Sequence, residues 1–391
     1  MKKIILISFT IWLFITNIFG QERTPVSVGE SVNYKSAILN EDRKVLISLP
    51  KNYEKSNQRY PVIYVLDGEW NFPIVAEACK VLADNERIPP SIVIGVTSGD
   101  RNRDFTTRID TNFPKPDFMN EAGGADKFLD HLEKELVPFV DKYFRTAPYR
   151  TVVGHSLGGI FAWHSLASRP QLFQSYLILD ASVFWNNGSV VKEVIEYFQK
   201  NPTAKTRVFW GRDRIPREVW FPDNTKLLNF WEKSPPKNVR FNFYEMEDET
   251  HSTLVFPVSY IGLKTLFSDY RIRLEENITL TQITNHYAAL SSEFGYEVKI
   301  PESFIDNIGR QFVTLKNVKD AIAIYQIGLK SYPPNFPMLD GLAEVYEADN
   351  QPKLALETYQ KADALTDKQP ASVRANRQKK MAELAQKLKD K

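Results

Sequence analysis

A serine between glycines, Gly154-His155-Ser156-Leu157-Gly158, follows the β-branched run Thr151-Val152-Val153 and precedes Gly159-Ile160-Phe161-Ala162, which continues as a helical pattern. Strand, sharp turn and helix in that order hold a serine hydroxyl at the tip of a strained bend, where it is open to a carbonyl carbon. The glycines at 154 and 158 remove side chains that would block that approach. The chemistry this permits is acyl transfer through a covalent serine intermediate.

A serine hydroxyl is a poor nucleophile at neutral pH, so a histidine must take its proton. Five histidines are available: His131, His155, His164, His251 and His286. His131 precedes the serine, His155 belongs to the turn itself, His164 falls two turns into the following helix, and His286 lies beyond the last strand-like run. His251 remains, in the polar turn Glu247-Asp248-Glu249-Thr250-His251-Ser252, just after the strand-like Val239 to Tyr244. A carboxylate must then hold the imidazole tautomer. Asp213, in Trp210-Gly211-Arg212-Asp213, follows the preceding strand-like run, with Glu218, Asp180 and Glu249 competing for the role. The developing oxyanion needs two N–H donors. Leu157 supplies one by position, and the turn Leu66-Asp67-Gly68-Glu69-Trp70 is the expected source of the other, at Glu69.

These groups need a scaffold that brings distant turns to one rim. Tyr60 to Leu66, Ser91 to Val96, Thr151 to Gly154, Tyr176 to Leu179 and Thr206 to Trp210 are continuous apolar runs, the signature of strands buried on both faces of a parallel sheet. Val45 to Leu49 alternates apolar and polar residues and reads as an antiparallel strand near the sheet edge. Helix-like stretches such as Ala125 to Phe144 separate the runs, so the expected class is a doubly wound, mostly parallel α/β sheet.

After Ser268 the strand signals stop. Ile308 to Phe312 matches Leu342 to Tyr346, and Ala321 to Tyr325 matches Ala355 to Tyr359, both at an offset of 34 residues, the tetratricopeptide period. The expected organisation is therefore a signal peptide over 1–20, an α/β domain over 21–268 and an all-α tetratricopeptide-like domain over 269–391, with Asn277 to Glu297 adding helical packing. A protein partner is the ordinary ligand of such repeats.

Lys2 and Lys3 ahead of an apolar stretch from Ile4 to Phe19 have the anatomy of a secretory signal peptide, too short for a spanning helix, so the expected location is periplasmic or secreted without stable membrane insertion. Cys79 is the single cysteine, which rules out an internal disulfide, and no histidines stand at metal-ligand spacing, so no metal is expected. The near balance of 50 basic and 48 acidic residues does not suit a nucleic-acid partner.

The segment from about 32 to 268 resembles the esterase family that contains ferric-enterobactin esterases, esterase D and feruloyl or acetylxylan esterases, through Pro61 to Gly68, Arg103-Asp104-Phe105-Thr106, Gly124 to Phe128, Gly154 to Gly159 and Glu249-Thr250-His251. The resemblance implies an α/β-hydrolase fold and ester hydrolysis without a cofactor, with Ser156 as nucleophile and His251 as base. Many relatives carry glutamate where this chain has Asp213. Substrates within the family include siderophore lactones, acylated sugars and small thioesters. Trp70, Trp185, Trp210 and Trp220 near strand ends suggest an aromatic wall, and the loop Gly99 to Asp104, with Arg103 and the later Arg108, suggests a cationic contribution to substrate binding. The alternatives to a hydrolase are an acyltransferase and a catalytically weak scaffold whose repeats bind a partner.

Overall fold

The computed structural model of the protein describes residues 26–110, 113, 121–214, 222–365 and 369–390. The segment read as a signal peptide, Trp220 and Glu218 lie outside them. The strands are β1 (Glu30–Ser36), β2 (Glu41–Ser48), β3 (Tyr60–Leu66), β4 (Ile92–Val96), β5 (Thr146–His155), β6 (Ser175–Leu179), β7 (Thr206–Asp213) and β8 (Val239–Met246). Between and after them run α1 (Gly68–Asp84), α2 (Arg101–Phe105), α3 (Ala125–His131), α4 (Val137–Tyr143), α5 (Leu157–Ser168), α6 (Trp185–Lys200), α7 (Pro222–Lys233) and α8 (Val255–Leu266). A π-helical turn, Leu132–Leu136, joins α3 to α4.

The strands form one sheet in the order β1-β2-β4-β3-β5-β6-β7-β8. β1 with β2 and β2 with β4 are antiparallel, and all later pairs are parallel. Every residue of β3, β4 and β6 is buried, as helices on both faces of a parallel sheet demand. β8, at the edge, alternates half-buried and exposed residues until its last two positions. Because β3, β5 and β6 are adjacent and parallel, the residues that follow them, Asp67, Ser156 and Asp180, emerge side by side at one rim. That rim is where open α/β sheets place their ligands.

Beyond α8 the described residues form helices only: α9 (Leu280–Phe294), α10 (Glu302–Thr314), α11 (Val318–Ser331), α12 (Phe336–Ala348), α13 (Pro352–Ala364) and α14 (Ala371–Lys389). α12 begins 34 residues after α10 and α13 begins 34 after α11, which is the offset of the sequence repeat. Tyr325 is the wedge between the first pair and the next: a Cβ at Gly309 would lie 2.4 Å from its ring, and one at Gly341 2.2 Å from its hydroxyl. The helical region does not hang free. One apolar core runs from Ile63 and Val153 of the sheet through α1 and α8 to Phe294, Phe304 and Tyr325. Arg207 of β7, nearly fully buried, reinforces it by reaching Asp269 (2.6 Å) and Glu293 of α9 (2.7 Å).

Candidate active site

Ser156 joins β5 to α5 with φ 59° and ψ −115°, outside the regions comfortable for an L-residue. The bend is held from three sides. Ser156 N–H donates to Leu179 O (3.0 Å), and Ser156 O accepts from Gly159 N (3.0 Å) and Ser182 N (3.2 Å). Two glycines are required by close approach. A Cβ at Gly154 would lie 2.1 Å from Gly158 O, and one at Gly159 would lie 2.7 Å from the Ala181 Cβ. Gly158, singled out in the sequence, leaves ordinary contact distance instead, 3.4 Å to Leu66. The Ser156 hydroxyl is 3.3 Å from that of Ser182.

His251 lies in the turn between β8 and α8, and its imidazole Nδ1–H donates to Asp180 Oδ2 across 2.5 Å. A carboxylate can only accept, so this contact leaves Nε2 with its lone pair. Asp180 is almost fully buried and takes a left-handed φ of 39° at the end of β6, where its N–H donates to Gly211 O (2.7 Å). The sequence favoured Asp213 for this position; the structure pairs His251 with Asp180 instead. Asp213 is the last residue of β7, one strand further from β5, and is fully buried opposite Met246 of β8. The His251 turn folds back over the sheet to the ends of β5 and β6 rather than resting over β7.

His155 is a contributor that the sequence reading passed over. Its Nε2–H donates to the main-chain oxygen of His251 (2.7 Å), and the two rings stand 4.5 Å apart. Burial, reinforced by neighbouring His251, pushes its pKa down to about 4, so the ring is neutral and its one N–H at Nε2 is committed to that carbonyl. The signal was its place inside the turn beside Ser156, but the partner 96 residues away is visible only in three dimensions.

The expected oxyanion donors stand at two helix starts. In α5 the bonds back to Ser156 O begin at Gly159, and in α1 the bonds back to Asp67 O begin at Trp70, so the N–H groups of Leu157 and Gly158 and of Gly68 and Glu69 are the first donors of their helices, which no carbonyl of the helix itself can satisfy. The Glu69 side chain turns away and accepts from Ser98 N (2.7 Å). Asp67, at φ 51°, is gripped by Arg101 through two bonds of 3.0 and 3.1 Å, which fixes the turn.

Ser156, His155, His251, Asp67, Arg101 and Trp70 line one cavity of about 370 Å3. Trp70, 63% exposed, forms part of its rim. Arg103 and Trp185, expected at the substrate, are not among its walls. Arg103 is drawn into ion pairs with Glu41 and Asp104 (2.8 Å), and the cation of that loop that faces the cavity is Arg101. Trp185 is 4% exposed and packs edge-on against Phe113 at 5.0 Å, and Trp210 is fully buried, so neither belongs to an exposed aromatic wall.

Residues 36–239 match the Putative esterase family. Ferri-bacillibactin esterase BesA of Bacillus subtilis is 32% identical over 149 residues, 34% of this chain and 52% of BesA, so the match spans about half of that relative. An IroE-like serine hydrolase from Shewanella oneidensis superposes with a TM-score of 0.68 at 26% identity, over 78% of this chain and 100% of its own. An uncharacterised protein from Capnocytophaga ochracea, 17% identical, shares the fold over 91% of this chain and 99% of its own with a TM-score of 0.67. The family match covers more than half of the chain, and the protein belongs to the Putative esterase family, on an α/β-hydrolase fold with an all-helical C-terminal region.

Proposed function

We propose that this protein is an exported serine carboxylesterase that acts through an acyl-enzyme on Ser156. The observation that carries the reading is the His251 to Asp180 hydrogen bond at the cavity that Ser156 lines. His251 Nε2 takes the hydroxyl proton as Ser156 Oγ bonds to the ester carbonyl carbon, and Asp180 stabilises the imidazolium that results. The tetrahedral oxyanion accepts from the N–H of Leu157 and of Glu69. His251 then returns the proton to the departing alcohol, and a water activated by the same imidazole releases the acid and restores Ser156.

The names of relatives, among them siderophore esterases of Aspergillus fumigatus and Emericella nidulans, favour a siderophore ester over an acylated carbohydrate as substrate. Trp70 on the rim suits a ligand with a flat part. Export rests on the residues before Gln21, and a protein partner for the 34-residue repeats is part of the same reading. The test is mature protein, with and without Ser156→Ala, on p-nitrophenyl acyl esters, a catecholate trilactone and acetylated or feruloylated sugars. Turnover of the trilactone abolished by the substitution supports the proposal. Turnover that survives it, or no turnover of any ester, overturns the mechanism.

A further inference from the structure

A second cavity, of about 610 Å3, opens at the opposite end of the sheet from Ser156. Tyr60 and Pro61, which line it, begin β3, whereas Asp67 follows the end of that strand, and seven residues of strand put about 23 Å between the two ends. Half of the wall comes from the α/β region, as the segment leading into β3 and Pro89 with Pro90 ahead of β4. The other half comes from the helical region, as Tyr296 to Lys299 after α9 and Lys330 to Pro333 at the end of α11. Cavities of this size at such a junction are common ligand sites.

The charge on the walls is one-sided. Lys55, Arg59, Lys299 and Lys330 line the cavity against a single acid, Glu297. None of the four forms an ion pair among the described residues: Arg59 donates to Thr146 O (3.1 Å) and Lys299 to Ser331 O (2.8 Å), both neutral carbonyls. Rings supply the rest of the surface. Tyr270, Tyr296 and Tyr332 line the cavity with the prolines; the Tyr332 hydroxyl is tied to Ile300 O (2.8 Å) and the Lys299 ammonium stands over its ring at 5.5 Å, so Tyr296 offers the aromatic face for stacking. Cations that no described carboxylate neutralises, beside aromatic and proline faces, favour a ligand that is both negative and flat, since its charge answers the ammonium and guanidinium groups while its ring stacks on tyrosine and proline.

We propose that this cavity binds an aromatic carboxylate of one or two rings, independently of the catalytic site. The ligand bridges the α/β and helical regions, which both line the cavity.

The probe is 2-naphthoate, titrated calorimetrically into the full chain, with 2-naphthalenemethanol as the uncharged analogue and cyclohexanecarboxylate as the anion without an aromatic ring. The variant Lys55→Gln/Lys330→Gln changes two exposed side chains and should fold; Tyr296→Leu removes one aromatic face. Saturable binding of one 2-naphthoate per chain is expected, about tenfold weaker in the double lysine variant and weaker at higher salt. It should be weaker in Tyr296→Leu and unchanged in Ser156→Ala. Absence of saturation up to about 10 mM overturns the proposal. So does equal affinity in the double lysine variant, or binding of either analogue as tight as that of 2-naphthoate.

Discussion

The imidazole of His155 and the main-chain carbonyl of His251 are joined by a hydrogen bond of 2.7 Å. The residue before the candidate nucleophile thereby holds the backbone of the candidate base, and the two halves of the site, 96 positions apart in the chain, are set by one contact. His155→Asn should lower kcat/KM about 10- to 100-fold, mainly through kcat, because the bond it removes holds the position of His251. Labelling of Ser156 by a fluorophosphonate should slow in proportion. A labelling rate equal to wild type would show that the contact does not position the base.

Asp180 and Asp213 can be separated directly. Asp180→Asn should cut kcat by about 10⁴, since an amide no longer stabilises the imidazolium or enforces its tautomer. Asp213→Asn leaves the contact between His251 and Asp180 in place and should cost far less, with any loss of thermal stability recorded alongside. The opposite ranking in kcat would return the acid's role to Asp213.

The low pKa of His155 has a signed consequence for stability. Folding holds it near 4 against 6.5 for the free side chain, so between those values the unfolded chain binds a proton that the folded chain refuses. Stability therefore falls as the pH drops from 6.5 to 4 and gains nothing from this group above 6.5, with a ceiling of roughly 3 kcal/mol. Urea unfolding at pH 7, 5.5 and 4 should show that wild type loses more stability on acidification than His155→Asn. Parallel profiles would mean that His155 titrates as in the unfolded chain.

The glycines of the serine turn should differ in tolerance. Gly154→Ala and Gly159→Ala each force a Cβ against backbone or Ala181 and should destabilise by about 1–3 kcal/mol while slowing acylation. Gly158→Ala meets only ordinary contacts and should leave the melting temperature within a few degrees of wild type. Three equal shifts in a melting series would contradict this ordering.

Much of the architecture was legible in the chain because it is local. The runs around Val62, Ile94 and Ile178 are apolar without interruption and occupy the buried core of a parallel sheet, and the offset of 34 residues recurs in the helix starts. The bend at Ser156 follows from a strand, glycines and a helix that are contiguous in sequence. Arg101 and Arg103, two positions apart, were not separable by type, and the choice fell to Glu41 and Asp104, which claim Arg103 from β2 and from the same short helix. Trp185 sits near a strand end like Trp70, yet only the second faces solvent, because Phe113 covers the first.

The sequence by itself determined the buried strands from Tyr60 onward, the strained serine turn and the histidine in the turn after the last strand, whereas the alternation in the first strand, Glu30–Ser36, was not read. Only the tertiary structure decided which carboxylate His251 meets, that His155 anchors its turn, and that Arg101 faces the cavity. The reason is physical: a strand's burial and a turn's strain are set by neighbours a few residues away. A hydrogen bond between loops depends on which strands lie side by side, and β6 rather than β7 lies beside β5.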